Sequence, residues 1–169
     1  MAVVFIFAIA LTITMPALQE QIAIRQIESL ARRLIAHAHF ARQQALHLGE
    51  PVVIEPIWNG QWESGWTIAS GCLGKANKPL CQKKVWLSQA RTDQIIFKGG
   101  HRSFIDPHTG KTGLVFNPAG AAKTAQGGFV ANRLILAHKR VKGLERQLIL
   151  GSGGRWRICD PAKDPKRCH

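Results

Sequence analysis

The chain has 169 residues, in which 23 Lys and Arg outnumber 10 Asp and Glu for a formal net charge of +13. Beyond an N-terminal segment of about twenty residues, this length leaves room for one globular domain of ordinary size. The charge excess is greatest at the C-terminal end, since residues 131–169 hold ten basic and three acidic residues. This pattern indicates a polyanionic partner, either nucleic acid or an anionic membrane surface, although solubility alone also favours Lys and Arg.

The first eighteen residues, MAVVFIFAIALTITMPAL, contain no charged side chain. They lack the basic start and the small-residue cleavage site of a secretory signal peptide. As a helix the run would be about 27 Å long, which is short for a membrane span. Pro16 predicts a kink or a loosened turn, because proline removes one backbone hydrogen bond. Because the run begins abruptly, we expect the natural chain to start upstream, with Met1 an internal methionine.

Helical periodicity continues beyond this run, and apolar residues recur there at steps of three and four. They are Ile27, Leu30, Ala31, Leu34, Ala38, Ala41, Ala45 and Leu48. Such steps form one stripe on a helix, and Gly49 and Pro51 supply stop signals. We predict one helix in two parts, with residues 1–19 as its transmembrane or filament-core part and residues 20–49 as its amphipathic part. The Ala-rich end of the stripe should let a sheet approach closely.

After Pro51 the pattern changes to short β-like runs separated by turn residues. The predicted strands are Val52–Ile57, Gly65–Ala69, Val85–Leu87, Gln94–Lys98, Gly113–Phe116, Arg133–His138, Gln147–Leu150 and Arg155–Ile158. One long helix followed only by strands predicts an α+β fold, in which the helix packs on an antiparallel sheet or sandwich formed by residues 50–169. We interpret the five tryptophans as core and loop anchors. They are Trp58, Trp62, Trp66, Trp86 and Trp156.

The four cysteines form two pairs, each with eight residues between its members: Cys72 with Cys81 and Cys159 with Cys168. This spacing does not match a zinc site, which needs closer pairs. Two local disulfides, Cys72–Cys81 and Cys159–Cys168, are the simplest of the three possible connectivities. They would place the domain in an oxidising compartment such as a periplasm.

No set of residues in the sequence indicates catalysis. His37 and His39 are two apart on the predicted helix, so they face different ways and cannot share a metal ion. His101 and His108 share a predicted loop with Asp106, and we interpret them as solvated side chains. The prediction is therefore a protein that is not an enzyme and has no catalytic residue, metal or cofactor.

The C-terminal strand carries the most informative polar pattern. We interpret Ser152–Gly154 as a tight hairpin, because the segment opens no helix that could bind phosphate. On the strand that follows, Arg155 and Arg157 should face water while Trp156 and Ile158 enter the core. Guanidinium groups bind phosphate oxygens in bidentate geometry. The alternative is an edge strand protected from aggregation by its positive charge.

Three more basic residues, Lys163, Lys166 and Arg167, lie in the tail. A Cys159–Cys168 bridge would close that tail into a mobile basic loop beside the arginine pair. The sequence therefore predicts a phosphate-binding surface made of the arginine pair and the loop.

The chain resembles type IV pilin-like proteins, and among them the FimT/GspH family of minor pilins and pseudopilins. The resemblance rests on four features: the apolar start with Pro16, the helix-to-strand passage ARRLIAHAHFARQQALHLGEPV, the GWTIA strand and the terminal GRWRIC. The family's leader and the Phe-Thr-Leu-Ile-Glu-Leu-type start are absent. The family proline aligns with Pro16 if about six mature residues precede Met1. A full-length precursor would then be a substrate of prepilin peptidase.

The resemblance implies a single-pass inner-membrane protein with a periplasmic C-terminal domain, which joins other pilins through its N-terminal helix. FimT-like members with a GRxR motif and a basic tail bind extracellular DNA during natural transformation. Here the motif is Gly154-Arg155-Trp156-Arg157, which makes Arg155 and Arg157 the expected DNA contacts, without sequence specificity. Two alternatives remain: a GspH-like pseudopilin of a type II secretion system with a structural role only, and a secreted enzyme with an uncleaved anchor.

Overall fold

The computed structural model describes residues 2–58, 60–71, 83–99, 112–122, 132–151 and 154–168, with side chains described from Leu18 onward apart from those of 99 and 167. Helix α1 extends from Ala2 to Leu48 and continues through Pro16, so the proline does not end it. Gly49 ends the helix with φ of +64°, and its N–H donates to the Ala45 carbonyl at 3.1 Å. A glycine in this conformation is a common helix C-terminus, as the sequence indicated.

Eight strands follow among the described residues, and each overlaps a predicted strand. They are β1 (Val52–Trp58), β2 (Gln61–Ser70), β3 (Lys84–Gln89), β4 (Ile95–Gly99), β5 (Leu114–Phe116), β6 (Asn132–His138), β7 (Glu145–Leu150) and β8 (Trp156–Cys159). The largest difference from prediction is at β2, which begins at Gln61 because the strand continues through Gly65. A 3-10 helix, Pro165–Cys168, comes last among the described residues.

The strands form two antiparallel sheets. The first sheet has the order β3-β2-β1-β5, and the second sheet has the order β4-β6-β7-β8. Helix α1 packs against β1, β2 and β5 of the first sheet and against β6 and β7 of the second. One helix on two antiparallel sheets is the predicted α+β architecture, which is confirmed.

The core lies where the apolar stripe of α1 meets the inner faces of both sheets. Of the eight predicted stripe residues, seven are at most 3% exposed, whereas Leu48 is 36% exposed. The difference at Leu48 arises because the helix ends there. On the strand side, alternate residues are buried, as in β7, where Arg146, Leu148 and Leu150 point inward. This alternation is the two-residue period of a strand with one face covered.

Two of the predicted aromatic anchors, Trp62 and Trp66, are fully within the core, at 4% and 0% exposure. The indole Nε1 of Trp66 donates a hydrogen bond to His37 Nδ1 at 2.9 Å, and the two rings meet edge to face. Trp156 is packed against the core, and Trp58 is exposed. His37 is therefore a structural acceptor for a buried donor, a role that the sequence did not predict.

We expect the fold to lose stability as the pH falls below about 6.5. Burial, and to a smaller extent Arg33, lowers the pKa of His37 below its usual value of 6.5. The unfolded chain therefore takes up this proton at a higher pH than the folded chain, so stability is complete above that value and decreases as acid is added. Burial and Arg140 lower the pKa of His138 too, which gives a loss of the same sign.

Thermal unfolding between about pH 7.5 and pH 5 measures this effect, because carboxylates remain mostly ionised in that range. The variant His37→Asn keeps an oxygen that can accept the Trp66 N–H bond but has no titrating ring. Its Tm should fall less with acid than that of the original chain. An identical pH profile in the two proteins would contradict the assignment to His37.

Candidate nucleic-acid interface

The arginine pair follows a tight hairpin between β7 and β8. Gly154 has φ of +72°, its N–H donates to the Gly151 carbonyl at 3.0 Å, and the Gly151 N–H donates to the Arg155 carbonyl at 2.9 Å. These two bonds join the end of β7 to the start of β8, and residues 152 and 153 of the predicted hairpin lie outside the described residues. A glycine is favoured at position 154 because a positive φ is costly for other residues.

Arg155 and Arg157 are both exposed to solvent, as predicted. Trp156 is half-buried and packs against the core. Ile158, however, is 36% exposed, so the prediction that it enters the core is wrong. The reason is the position of β8 at the edge of the second sheet, where only one neighbouring strand covers it.

A further arginine lies at the N-terminal end of β8, beside the hairpin. A Cβ atom added to Gly154 would lie 3.2 Å from Nη1 of Arg42, so this helix guanidinium lies directly against the hairpin glycine. The local sequence around Arg42 gives no signal of the hairpin that this side chain meets. The helix thus adds a third guanidinium beside the GRWR segment.

The predicted tail residues lie at the opposite end of β8. Lys163 is exposed in a turn and Lys166 is exposed in the 3-10 helix, while the side chain of Arg167 lies outside the described residues. From Arg155 to Asp160 the chain runs along an extended strand, which covers about 16 Å at 3.3 Å per residue. Arg155 and the two exposed lysines therefore lie at opposite ends of β8, and Arg157 lies between them along the strand.

The tail has more internal contacts than a mobile loop would have. The Cys159–Cys168 disulfide is present, and both cysteines are buried. Asp160 accepts hydrogen bonds from the N–H groups of Asp164, through its carbonyl at 2.9 Å, and of Ala162, through Oδ1 at 3.1 Å. The second predicted bridge, between Cys72 and Cys81, lies outside the described residues.

Arg146 links this tail to the helix. Its side chain is only 6% exposed, and it bridges Asp160 Oδ2 at 3.0 Å and Glu28 Oε1 at 3.2 Å. The guanidinium also donates to the Glu145 carbonyl at 2.8 Å. Sequence reasoning missed this residue, because its two partners are distant along the chain. The result is a fixed tail whose lysines are held on the surface.

Within the described part of the chain, no group of three or more His, Cys, Asp or Glu side chains could hold a metal ion. The loop histidines His101 and His108, and Asp106 between them, lie outside it. In the same described part, no helical segment has the length and apolar character that a membrane crossing requires.

The family model described as "Type II transport protein GspH" matches residues 30–154. The chain belongs to the GspH family. The match covers most of α1's amphipathic part, all strands from β1 to β7 and the hairpin glycine at 154. A protein of this family is a type IV pilin-like subunit, of the kind found as minor pilins and pseudopilins. No curated protein matches the chain.

Three solved structures share the fold of this GspH-family chain. Two are crystal forms of the type IV minor pilin FimU of Pseudomonas aeruginosa. The first is 18% identical with a TM-score of 0.56, and the match covers 86% of this chain and 96% of the FimU chain. The second is 17% identical with a TM-score of 0.50, and the match covers 85% of this chain and 100% of the FimU chain. The third is the minor pseudopilin EpsH of the Vibrio cholerae type 2 secretion system, 11% identical with a TM-score of 0.53, covering 81% and 98%. At such identities the likeness extends to the fold alone.

Proposed function

We propose that this protein is a FimT-like minor type IV pilin that binds extracellular DNA for natural transformation. Residues 1–19 would lie in the bacterial inner membrane before assembly and in the filament core afterwards. Residues 20–49 would support the β domain, residues 50–169, in the periplasm. A full-length precursor would be processed by prepilin peptidase. The role is one of binding and assembly rather than catalysis.

The observation that carries this proposal is the exposed arginine pair that follows the turn between β7 and β8. Arg155 and Arg157 stay exposed while Trp156 between them packs on the core, so packing does not require arginine at either position. Guanidinium groups suit the phosphate backbone, which is the same for every sequence. Binding through these side chains would therefore be independent of DNA sequence.

The basic tail would add contacts at the other end of β8. Lys163 and Lys166 are exposed, and Arg167 neighbours them in the chain. The disulfide and the Arg146 ion pairs hold the tail in one arrangement, which lowers the entropy lost on binding. We propose that these three residues contact phosphates flanking those held by the arginine pair.

Gel shifts with labelled DNA test the arginine pair directly. The double variant Arg155→Gln plus Arg157→Gln removes two phosphate contacts, so the slope of log affinity against log salt should become shallower by about 1.8. At about 0.15 M salt the affinity should fall roughly 25-fold. The matched control is Arg25→Gln plus Arg32→Gln, which removes the same charge from exposed positions on α1. Equal behaviour of the two double variants would overturn the assigned site.

The second candidate is a GspH-like minor pseudopilin of a type II secretion system, with a structural role only. The family description and the likeness to EpsH favour it as much as the likeness to FimU favours a pilus. Under this alternative the purified protein binds no DNA at physiological salt, and its gene lies among secretion genes rather than pilus or competence genes. Either role needs other pilins or pseudopilins as partners.

We propose that α1 provides the surface for those partners. Leu18 and Ile22 are 62% and 48% exposed on the helix, although apolar side chains of this size are usually buried in a monomer. An open groove of about 450 Å³ adjoins Ile22, and Leu30 and Ile95 also line it. A neighbouring pilin helix would cover this apolar surface.

A further inference from the structure

The outer face of the second sheet carries a row of side chains that no local sequence pattern reveals. In an antiparallel sheet, residues directly opposite each other point to the same side. Ile149 of β7 is paired with Arg133 of β6 on one side and with Arg157 of β8 on the other. Its neighbours Leu148 and Leu150 face the core, so Ile149 and both arginines face outward.

The spacing of this row suits a phosphate backbone. Adjacent strands lie about 4.8 Å apart, so the Cα atoms of Arg133 and Arg157 are separated by roughly 10 Å. One DNA strand advances 3.4 Å along the helix axis per phosphate, so two long side chains at this separation can reach neighbouring phosphates of one strand. Both arginines are exposed, and only the half-buried Ile149 lies between them.

Among the residues of β6, β7 and β8, the one acidic side chain is Glu145. Glu145 projects outward on β7, two rows away from the arginine row, and Lys98 Nζ binds it at 2.6 Å. Between Glu145 and the arginine row, β6, β7 and β8 contribute one row of uncharged residues, namely Ile135, Gln147 and Cys159. Within these three strands, the nearest acidic side chain to the arginine row is therefore two rows away.

Edge protection does not account for Arg133. A positive charge on an exposed edge strand blocks unwanted pairing, which could explain Arg157 on β8. Arg133 lies on β6, however, and β6 is paired on both sides, with β4 and with β7. Protection of a sheet edge therefore cannot explain an arginine at position 133, and its exposure on the outer face of the sheet needs another explanation.

We propose that DNA crosses the outer face of the second sheet at its hairpin end, with Arg133 as a phosphate contact in line with Arg157. This inference rests on the proposed DNA-binding function and extends it to a residue outside the GRxR motif. The backbone path would run across β8, β7 and β6. It would remain independent of sequence, because guanidinium contacts to phosphate read no base.

The test is fluorescence anisotropy of a labelled DNA duplex with the full chain in mild detergent, over about 50 to 200 mM salt. Arg133→Gln should weaken binding about fivefold near 0.15 M salt and reduce the salt slope by about 0.9. Arg133→Lys should keep the slope. The matched control, Arg32→Gln, removes an exposed arginine from α1 and should change affinity less than about twofold.

The possible outcomes distinguish a failure of the Arg133 path from a failure of the proposed DNA-binding function. If Arg133→Gln behaves like Arg32→Gln while the Arg155 and Arg157 double variant weakens binding, only the extended path is wrong. If the double variant also leaves DNA binding unchanged, the assigned site is wrong as well, and if the original chain binds no DNA at physiological salt, the proposed function fails. Vesicles rich in anionic phosphatidylglycerol are the competing probe. Arg133-dependent binding to vesicles without binding to DNA would overturn the path in favour of a membrane surface.

Discussion

Replacing Arg146 with methionine is expected to lower the free energy of unfolding by about 3 kcal/mol. The side chain is 6% exposed and forms ion pairs with both Glu28 and Asp160. Methionine keeps much of the apolar volume but removes the guanidinium, which leaves the Asp160 carboxylate, 18% exposed, without its counterion. Glu28 is 41% exposed and can regain water, so the loss should lie at the lower end of the range for broken buried pairs.

Two control variants separate the halves of this ion-pair network in urea unfolding at neutral pH. Glu28→Gln removes the solvated partner and should cost less than about 1 kcal/mol. Asp160→Asn removes the less exposed partner but keeps an oxygen for the Ala162 N–H, so its cost should be intermediate. A loss in Arg146→Met no larger than in Glu28→Gln would show that the network does not hold the tail to the helix.

The second large effect is expected at Gly65, where substitution by alanine should cost more than about 3 kcal/mol. Gly65 has φ of +91° within β2, and an added Cβ would collide with the carbonyl oxygen of Gln89 and lie 3.0 Å from the carbonyl carbon of Ala90. Because both obstacles are backbone atoms, β3 and its exit would have to shift. The neighbouring Trp66, with its bond to His37, would be displaced with them.

Gly49→Ala is the matched control for this prediction. Gly49 also has a positive φ, +64°, but an added Cβ would meet nothing within 4 Å. It should lose only the backbone cost of about 1 kcal/mol. Thermal unfolding of the two variants gives the difference, which measures the collision together with any difference in backbone cost between φ of +91° and φ of +64°. Equal losses would contradict the close approach of β2 and the end of β3.

Elements with a strong local period were predictable from the sequence. The stripe from Ile27 to Ala45 is buried as expected, because a helix that covers one face must repeat apolar residues near every 3.6 positions. The eight strands were found because turn residues separate them. The predicted burial was wrong where it depends on neighbouring elements. Leu48 lies at the helix end and Ile158 lies on an edge strand, and both are 36% exposed.

The candidate site was only partly predictable for the same reason. Arg155 and Arg157 belong to one short motif whose alternation is visible locally. Arg133 joins them through a strand pairing, and Arg42 through helix packing, so neither position carries a local signal. Conversely, the tail lysines follow the arginine pair closely in sequence but lie at the other end of β8, because an extended strand separates them.

By itself the sequence determined the long helix, its buried stripe, the eight strands found among the described residues and the α+β class, since each follows from short-range periodicity and from turn residues. It also indicated the Cys159–Cys168 bridge and the arginine pair. Only the tertiary structure decided the strand order, the link from Arg146 to Glu28 and Asp160, and the row of Arg133 and Arg157 on one sheet face. These depend on which strands pair and in which register, and residues far apart in the chain fix that pairing through the shared core.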